Sequence, residues 1–139
     1  MNVNIELLKL VAENPDLPIV VMVNGDVCWD EGMYWMASFS AVSVEYVGLV
    51  KERWYDDRES FKEAYYDKYD DELCEMFGYL PCCCTSTVEM GKYTQEQFEA
   101  NCLAEEKLEA YLEERANEYM KKCIVVYVDE FDMSGWREA

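Results

Sequence analysis

The segment from Asp56 to Glu118 carries 18 acidic residues against 6 basic ones, and it repeats large apolar side chains at intervals of three and four. That combination leaves few folds open, because an apolar stripe at helical spacing must be buried while the acids keep the remaining faces in water. Two helices are predicted. The first opens at Asp56-Asp57 and carries the stripe Phe61, Tyr65, Tyr69, Leu73, Met76 and Phe77. Gly78 and Pro81 end it. The second starts at Thr94, where Thr94-Gln95-Glu96-Gln97 fits a capping box in which the cap hydroxyl and the third side chain satisfy each other's backbone donors. It runs to about Lys121, with Phe98, Leu108, Leu112 and Tyr119 inward and Lys121-Lys122 at the negative end of its dipole. Between the two, Cys82 to Gly91 reads as a connecting segment.

The flanks have a different period. Residues 4–13 form a short helix with Leu7, Leu8, Leu10 and Val11 on one face, stopped by Asn14-Pro15. Pro18 to Val23 is a β-branched strand run. Asn24-Gly25 is the residue pair a type I′ hairpin turn prefers, with Asp26 to Trp29 as the return strand. Met33 to Val50 is a long apolar stretch with β character, and Leu49 to Tyr55 reads as a further strand. Ile124 to Val128 is the last. The predicted class is α+β: a mostly antiparallel sheet of four to five strands with two longer acidic helices and a short N-terminal helix. A length of 139 residues suits a single domain over 1–139, with 129–139 as a loose tail.

Function is narrowed first by what is missing. The chain has no histidine, which removes every Cys-His, Ser-His-Asp and His-metal arrangement. It has no P-loop and no G-x-G-x-x-G. Carboxylate pairs alone can run glycoside hydrolysis, but 30 acidic residues produce adjacent pairs by chance. The expectation is a protein that is not an enzyme and takes no cofactor and no metal. The acidic stretches Asp26, Asp30, Glu31 and Asp70, Asp71, Glu72 lack the alternating oxygen ligands and central glycine of a calcium loop. The seven cysteines include the triplet Cys82-Cys83-Cys84, an odd count that suits a reducing compartment. No apolar run is long enough to span a bilayer, so the expected location is the cytoplasm.

A net charge of −18 repels phosphates and anionic lipid headgroups, which argues against direct nucleic-acid or membrane binding and favours a basic protein partner. The acids are arranged against helix stability. Glu59-Glu63-Asp67-Asp71-Glu75 is an i,i+4 ladder of one sign, and each like pair costs roughly 0.2–0.5 kcal/mol in an isolated helix. A face kept for solubility usually alternates signs. Neighbours on such a face stand roughly 6 Å apart, close to the spacing of phosphates along one nucleic-acid strand. The candidate partner-binding residues are therefore Asp56, Asp57, Glu59, Glu63, Asp67, Asp70, Asp71 and Glu75, with Glu106, Glu109 and Glu113 on the second helix. Tyr66, off the apolar stripe, joins them as a ring for partner guanidinium groups. A plain solvated face is the alternative.

Glu13-Asn14-Pro15-Asp16-Leu17-Pro18-Ile19-Val20, Tyr34-Trp35, Glu52-Arg53-Trp54-Tyr55 and Ile124-Val125-Val126-Tyr127 together resemble small acidic proteins encoded in phages and prophages of Gram-positive bacteria. Some small acidic phage proteins are anti-CRISPRs that occupy the nucleic-acid groove of a Cas effector. The resemblance implies a phage-type inhibitor in a bacterial host cell, with a basic nucleic-acid-binding protein such as a Cas effector as its partner. Two other readings stay open: a homodimeric assembly protein joined through a sheet face or edge, and a metal- or redox-responsive protein using the cysteine triplet.

Overall fold

The computed structural model describes residues 2–24 and 37–130. The chain is α+β, with helices α1 (Val3–Glu13), α2 (Arg58–Phe77), α3 (Thr85–Glu89) and α4 (Gln95–Tyr119) and strands β1 (Ile19–Val23), β2 (Ala37–Val50), β3 (Arg53–Tyr55) and β4 (Lys121–Glu130) among the described residues. It divides into two compact units, Met1–Val47 with Lys121–Ala139, and Gly48–Met120.

In the first unit, Asn2 caps α1 by accepting the Asn4 N–H at 2.9 Å. The helix stops at Asn14, whose N–H reaches the Leu10 carbonyl. Leu7, Leu10 and Val11 are half-buried, whereas Leu8 is exposed and lies off the inner face. β4 is the central strand. β1 runs parallel to it from Ile19↔Ile124 to Val23↔Val128. β2 runs antiparallel to it from Ala37↔Glu130 to Val47↔Lys121. A strand paired on both sides reads as a continuous β-branched run, and Ile124, Val125 and Val126 are almost completely buried. One core cluster gathers Val47, Cys123 and Val125, with Val20, Met22 and Tyr127 against it. A bulge falls between Phe39 and Ala41. Ser40 at that bulge donates to the Tyr127 carbonyl at 3.1 Å and to the Asp129 carboxylate at 2.8 Å.

Three expectations are corrected here. The sheet is mixed, not mostly antiparallel, because β1 joins β4 in parallel, a pairing of segments a hundred residues apart that no local turn announces. Lys121 and Lys122 open β4 and do not close α4. β4 also continues through Asp129 and Glu130, where a loose tail is predicted. Asn24 extends the β1–β4 ladder by donating to the Val128 carbonyl. The return strand at 26–29 and the stretch 33–36 lie outside the described residues.

In the second unit, the predicted strand from Leu49 to Tyr55 is a hairpin. Gly48–Val50 pairs antiparallel with β3 across the two-residue turn Lys51-Glu52, both with positive φ of 48° and 64°. Positive φ at both central residues is the type I′ requirement, normally met by Asn-Gly. Gly48 is dictated by crowding, since a Cβ there would lie 2.5 Å from the Phe61 ring and 3.2 Å from Met120 Cγ. Phe61 is buried with Val50, Ala116 and Met120.

α2 is capped by Asp57, whose carboxylate accepts the Ser60 N–H and hydroxyl at 3.1 and 2.8 Å. It ends at Gly78 in the left-handed region, φ 66°. Tyr69 is non-helical inside it, with φ −121° and ψ 23°, and the Asp70 carboxylate takes the neighbouring Asp71 N–H at 2.8 Å. A side chain that captures a backbone donor is a recognised cause of a kink. α4 carries the predicted capping box, with Gln97 N–H to Thr94 Oγ1 at 3.1 Å and Thr94 N–H to Gln97 Oε1 at 2.8 Å. Part of the predicted connecting segment forms α3, in which Thr87 Oγ1 accepts the Cys84 N–H at 2.8 Å. α2 and α4 are antiparallel, as the contacts Arg58–Glu113, Lys62–Glu109 and Leu80–Asn101 require. Leu73, Leu108 and Leu112 form their core, flanked by Tyr65, Tyr66, Tyr69 and Phe77. Met76 and Tyr119 are exposed against expectation.

Two stability changes follow from this packing. Replacing Lys51-Glu52 with Asn-Gly relieves two left-handed side-chain residues and should raise unfolding stability by about 1 kcal/mol in denaturant titration. Gly48→Ala drives a methyl group into the Phe61 ring and should lower stability by about 1–3 kcal/mol in the same assay.

Candidate partner-binding surface

The acids of α2 and α4 sort into two sets. The inner set surrounds Lys62, whose side chain is only 5% exposed. Its ammonium bonds Glu113 at 2.6 Å and Glu59 at 2.9 Å, and it also bonds Glu109. Arg58 Nε bonds the other Glu113 oxygen at 2.7 Å, while the guanidinium reaches the Glu113 carbonyl and Asn117. Burial opposes the charge on Lys62, but the bonds to Glu109, Glu113 and Glu59 outweigh it and leave its pKa raised. Hydrogen bonds from Lys62, then Arg58, hold the Glu113 carboxyl below the ordinary glutamate range.

Among the described residues, Glu59, Glu109 and Glu113 form the one trio of ligating groups close enough to hold a cation. The chain supplies that cation itself, because the Lys62 ammonium bonds all three. A divalent ion would have to displace a buried ammonium from its three partners. Asp70, Asp71 and Glu72 are exposed and do not converge; Asp26, Asp30 and Glu31 lie outside the described residues.

The outer set includes Glu63, Asp67, Asp71 and Glu75 on α2 and Glu105 and Glu106 on α4, all exposed and without an ion pair among the described residues, whereas Glu118 pairs with Arg115. The predicted ladder is thus divided. Glu59 is drawn to Lys62, and the kink at Tyr69 separates Glu63 and Asp67 from Asp71 and Glu75. Asp56 and Asp57 are exposed ahead of α2, with Asp57 committed as its cap, and Asp70 is committed to the kink. Glu109 and Glu113, predicted to face a partner, face Lys62 instead.

Tyr66, expected off the apolar stripe, packs partly against the apolar core. It is half-buried beside Leu73, Leu108 and Leu112, and its hydroxyl and the Cys74 thiol share a hydrogen bond of 3.3 Å. That bond, with burial, pushes the phenol pKa up. Lys62 is the residue that sequence reasoning missed. The signal was present, because Lys62, Tyr66, Tyr69 and Leu73 step by four, three and four and so share a helical face.

A groove of about 600 Å³ lies between α2 and α4. Glu59, Lys62, Glu63 and Tyr66 line it from α2, Glu105 and Glu109 from α4, and Tyr79 and Pro81 from the segment after α2. Leu108 and Leu112 form its apolar part. Tyr79 is half-buried, and burial followed by the field of Glu105 raises its phenol pKa.

The cysteine triplet does not converge. Cys83 is buried, its thiol pKa raised by burial, while Cys82 and Cys84 are exposed. The Cys84 thiol is drawn down by hydrogen bonding to Thr87 and Ser86. Compared with family models, curated proteins and solved structures, the chain shows no match. No helix among the described residues is long and apolar enough to cross a membrane.

Removing the central cation tests this arrangement. Lys62→Met leaves Glu59, Glu109 and Glu113 facing one another, and because all three remain partly hydrated the loss should be about 1–2 kcal/mol at neutral pH. A depressed carboxyl pKa contributes stability above its unfolded value and loses it as pH falls through the folded value. The Glu113 contribution of the parent should therefore fade below the ordinary glutamate range, and the gap between parent and variant should narrow there. Urea titrations at neutral and acidic pH measure both effects.

Proposed function

We propose that the protein is a non-enzymatic inhibitor of the phage type, of the anti-CRISPR kind, whose α2–α4 surface competes with nucleic acid for the basic groove of a nucleic-acid-binding protein such as a Cas effector. The observation that carries this reading is the division of the acids. Lys62 and Arg58 are spent inside the helix pair, and Glu63, Asp67, Asp71, Glu75, Glu105 and Glu106 are left outside without an ion pair among the described residues. Unpaired charge of one sign raises the encounter rate with a basic surface and opposes phosphates. The absence of histidine from the sequence, which removes Cys-His and Ser-His-Asp arrangements, supports a binding role.

A second reading, a homodimer joined through the sheet, is favoured by β1. Ile19, Val21 and Val23 alternate along it, and each is about half exposed. Self-association through such residues survives high salt, whereas binding through carboxylates is weakened by it. Sedimentation across a salt series separates the two.

The test begins with capture of partners from a bacterial lysate on the immobilised protein, eluted by a salt gradient. Each captured protein is then assayed for nucleic-acid binding with and without the chain. The proposal requires a nucleic-acid-binding protein that elutes with salt and loses its nucleic acid to the chain. Asp67→Asn, Asp71→Asn and Glu75→Gln together should leave the melting temperature unchanged or slightly higher, since they remove mildly repulsive pairs. The same triple variant should slow association by roughly three- to tenfold at low salt and flatten its salt dependence, with little effect on dissociation. Unchanged association would mark the outer carboxylates as a solvated face.

A further inference from the structure

We infer that the groove between α2 and α4 is an arginine-anchoring pocket, which takes one guanidinium side chain from a basic protein partner. The inference rests on the reading of the partner as basic, and it names the side chain and the place that holds it.

The groove differs from the rest of the acidic surface in having a floor. Leu108 and Leu112, both nearly buried, supply apolar contact for an aliphatic stem. Tyr66 and Tyr79 are half-buried and present rings at its sides. Glu63 stands on the α2 side and Glu105 on the α4 side, both exposed and without an ion pair among the described residues. Glu59, Glu109 and Lys62 also line the groove, but both carboxylates already bond the Lys62 ammonium. The groove carboxylates without an ion pair among the described residues are therefore Glu63 and Glu105.

Charge complementarity selects a cation for this site, and shape selects which one. An ammonium is a compact, strongly hydrated point charge, and a groove with an apolar floor gives it little in place of its water. A guanidinium is planar and weakly hydrated. It presents donors in several directions, so it can meet carboxylates from two helices while its face lies on an aromatic ring. The stem of an arginine covers apolar surface as its head stays near the rim. The walls are set before any ligand arrives. Asn101, itself buried, accepts the Leu80 N–H at 2.6 Å and donates to the Leu80 carbonyl at 3.1 Å and the Cys83 carbonyl at 3.4 Å. This fixes the segment that carries Tyr79 and Pro81 against α4. The Tyr66–Cys74 bond holds the other ring.

The test uses the full chain and two probes of equal length and charge, nona-arginine and nona-lysine, with affinities measured by fluorescence anisotropy at fixed ionic strength. Two double variants are compared with the parent: Glu63→Gln with Glu105→Gln in the groove, and Asp67→Asn with Asp71→Asn outside it. None of these four side chains makes an ion pair among the described residues. Thermal melts confirm that both variants fold.

The parent should bind nona-arginine about tenfold more tightly than nona-lysine. The groove variant should lose roughly tenfold in nona-arginine affinity and bring the ratio of the two peptides close to one. The outer variant should weaken both peptides by the same factor and keep the ratio. Equal affinities in the parent, or a ratio that survives in the groove variant, would overturn the arginine pocket and leave the acidic-surface reading standing. If neither peptide binds the parent, both readings fall.

Discussion

The second unit depends on one buried ammonium. Two helices that each carry a surplus of acids lie side by side, and their closest carboxylates, Glu59, Glu109 and Glu113, would oppose that approach. Two unit charges about 4 Å apart interact by roughly 4 kcal/mol at the effective dielectric of a protein surface. Lys62 reverses the sign of the problem by standing among the three, and Arg58 adds a second cation against Glu113. Burying an ammonium is costly unless its donors are satisfied. Here three carboxylates satisfy them. Once Lys62 is in place, Leu73, Leu108 and Leu112 can close beneath it. Acid-rich helices can thus pack without an alternating surface because two of their cations, Arg58 and Lys62, stand at the contact.

The same arrangement determines what the outer surface can do. Each cation drawn inward leaves a carboxylate outside without a partner. Glu63, Asp67, Asp71 and Glu75 keep the spacing of an acidic row, but Tyr69 breaks the helix in the middle of it. The row is therefore two short runs at an angle and not one straight edge. A strictly regular phosphate mimic is not required for steering, which depends on summed charge. It would be required for register-specific docking, and that task falls to a feature with walls and a floor.

What was legible in the sequence was local. The stop of α1 before Pro15, the Gly78 cap and the Thr94–Gln97 box each depend on a few adjacent residues, and each stands where the pattern puts it. The parallel joining of β1 to β4 depends on segments far apart, and only the shared β-branched composition hints at it. The hairpin at Lys51-Glu52 was hidden because neither residue signals positive φ. In the candidate site, Glu63, Asp67, Asp71, Glu75 and Glu106 were readable as outward carboxylates. Glu109 and Glu113 were not distinguishable from them, since their difference is a lysine brought in from the other helix, and Glu59 differs only by its i,i+3 bond to that lysine. The partial burial of Tyr66 was hidden for a related reason: its stripe includes Lys62, and a stripe containing a charge does not look buried.

The cysteine triplet gains a structural account from the groove. Cys83 is buried and its carbonyl accepts from Asn101, while Cys84 begins α3 with its N–H on Thr87. These contacts hold the chain between α2 and α3 in one conformation, and that chain carries Tyr79 and Pro81 into the groove wall. Three small adjacent residues suit a tight path in which one side chain points in and its two neighbours point out. A binding site on flexible connecting backbone would spend part of its affinity on ordering itself. Asn101 removes that cost by giving the segment fixed hydrogen-bond partners on α4. The buried amide and the buried ammonium thus act on the same groove from its two ends: one fixes the wall, and the other decides which carboxylates remain uncompensated.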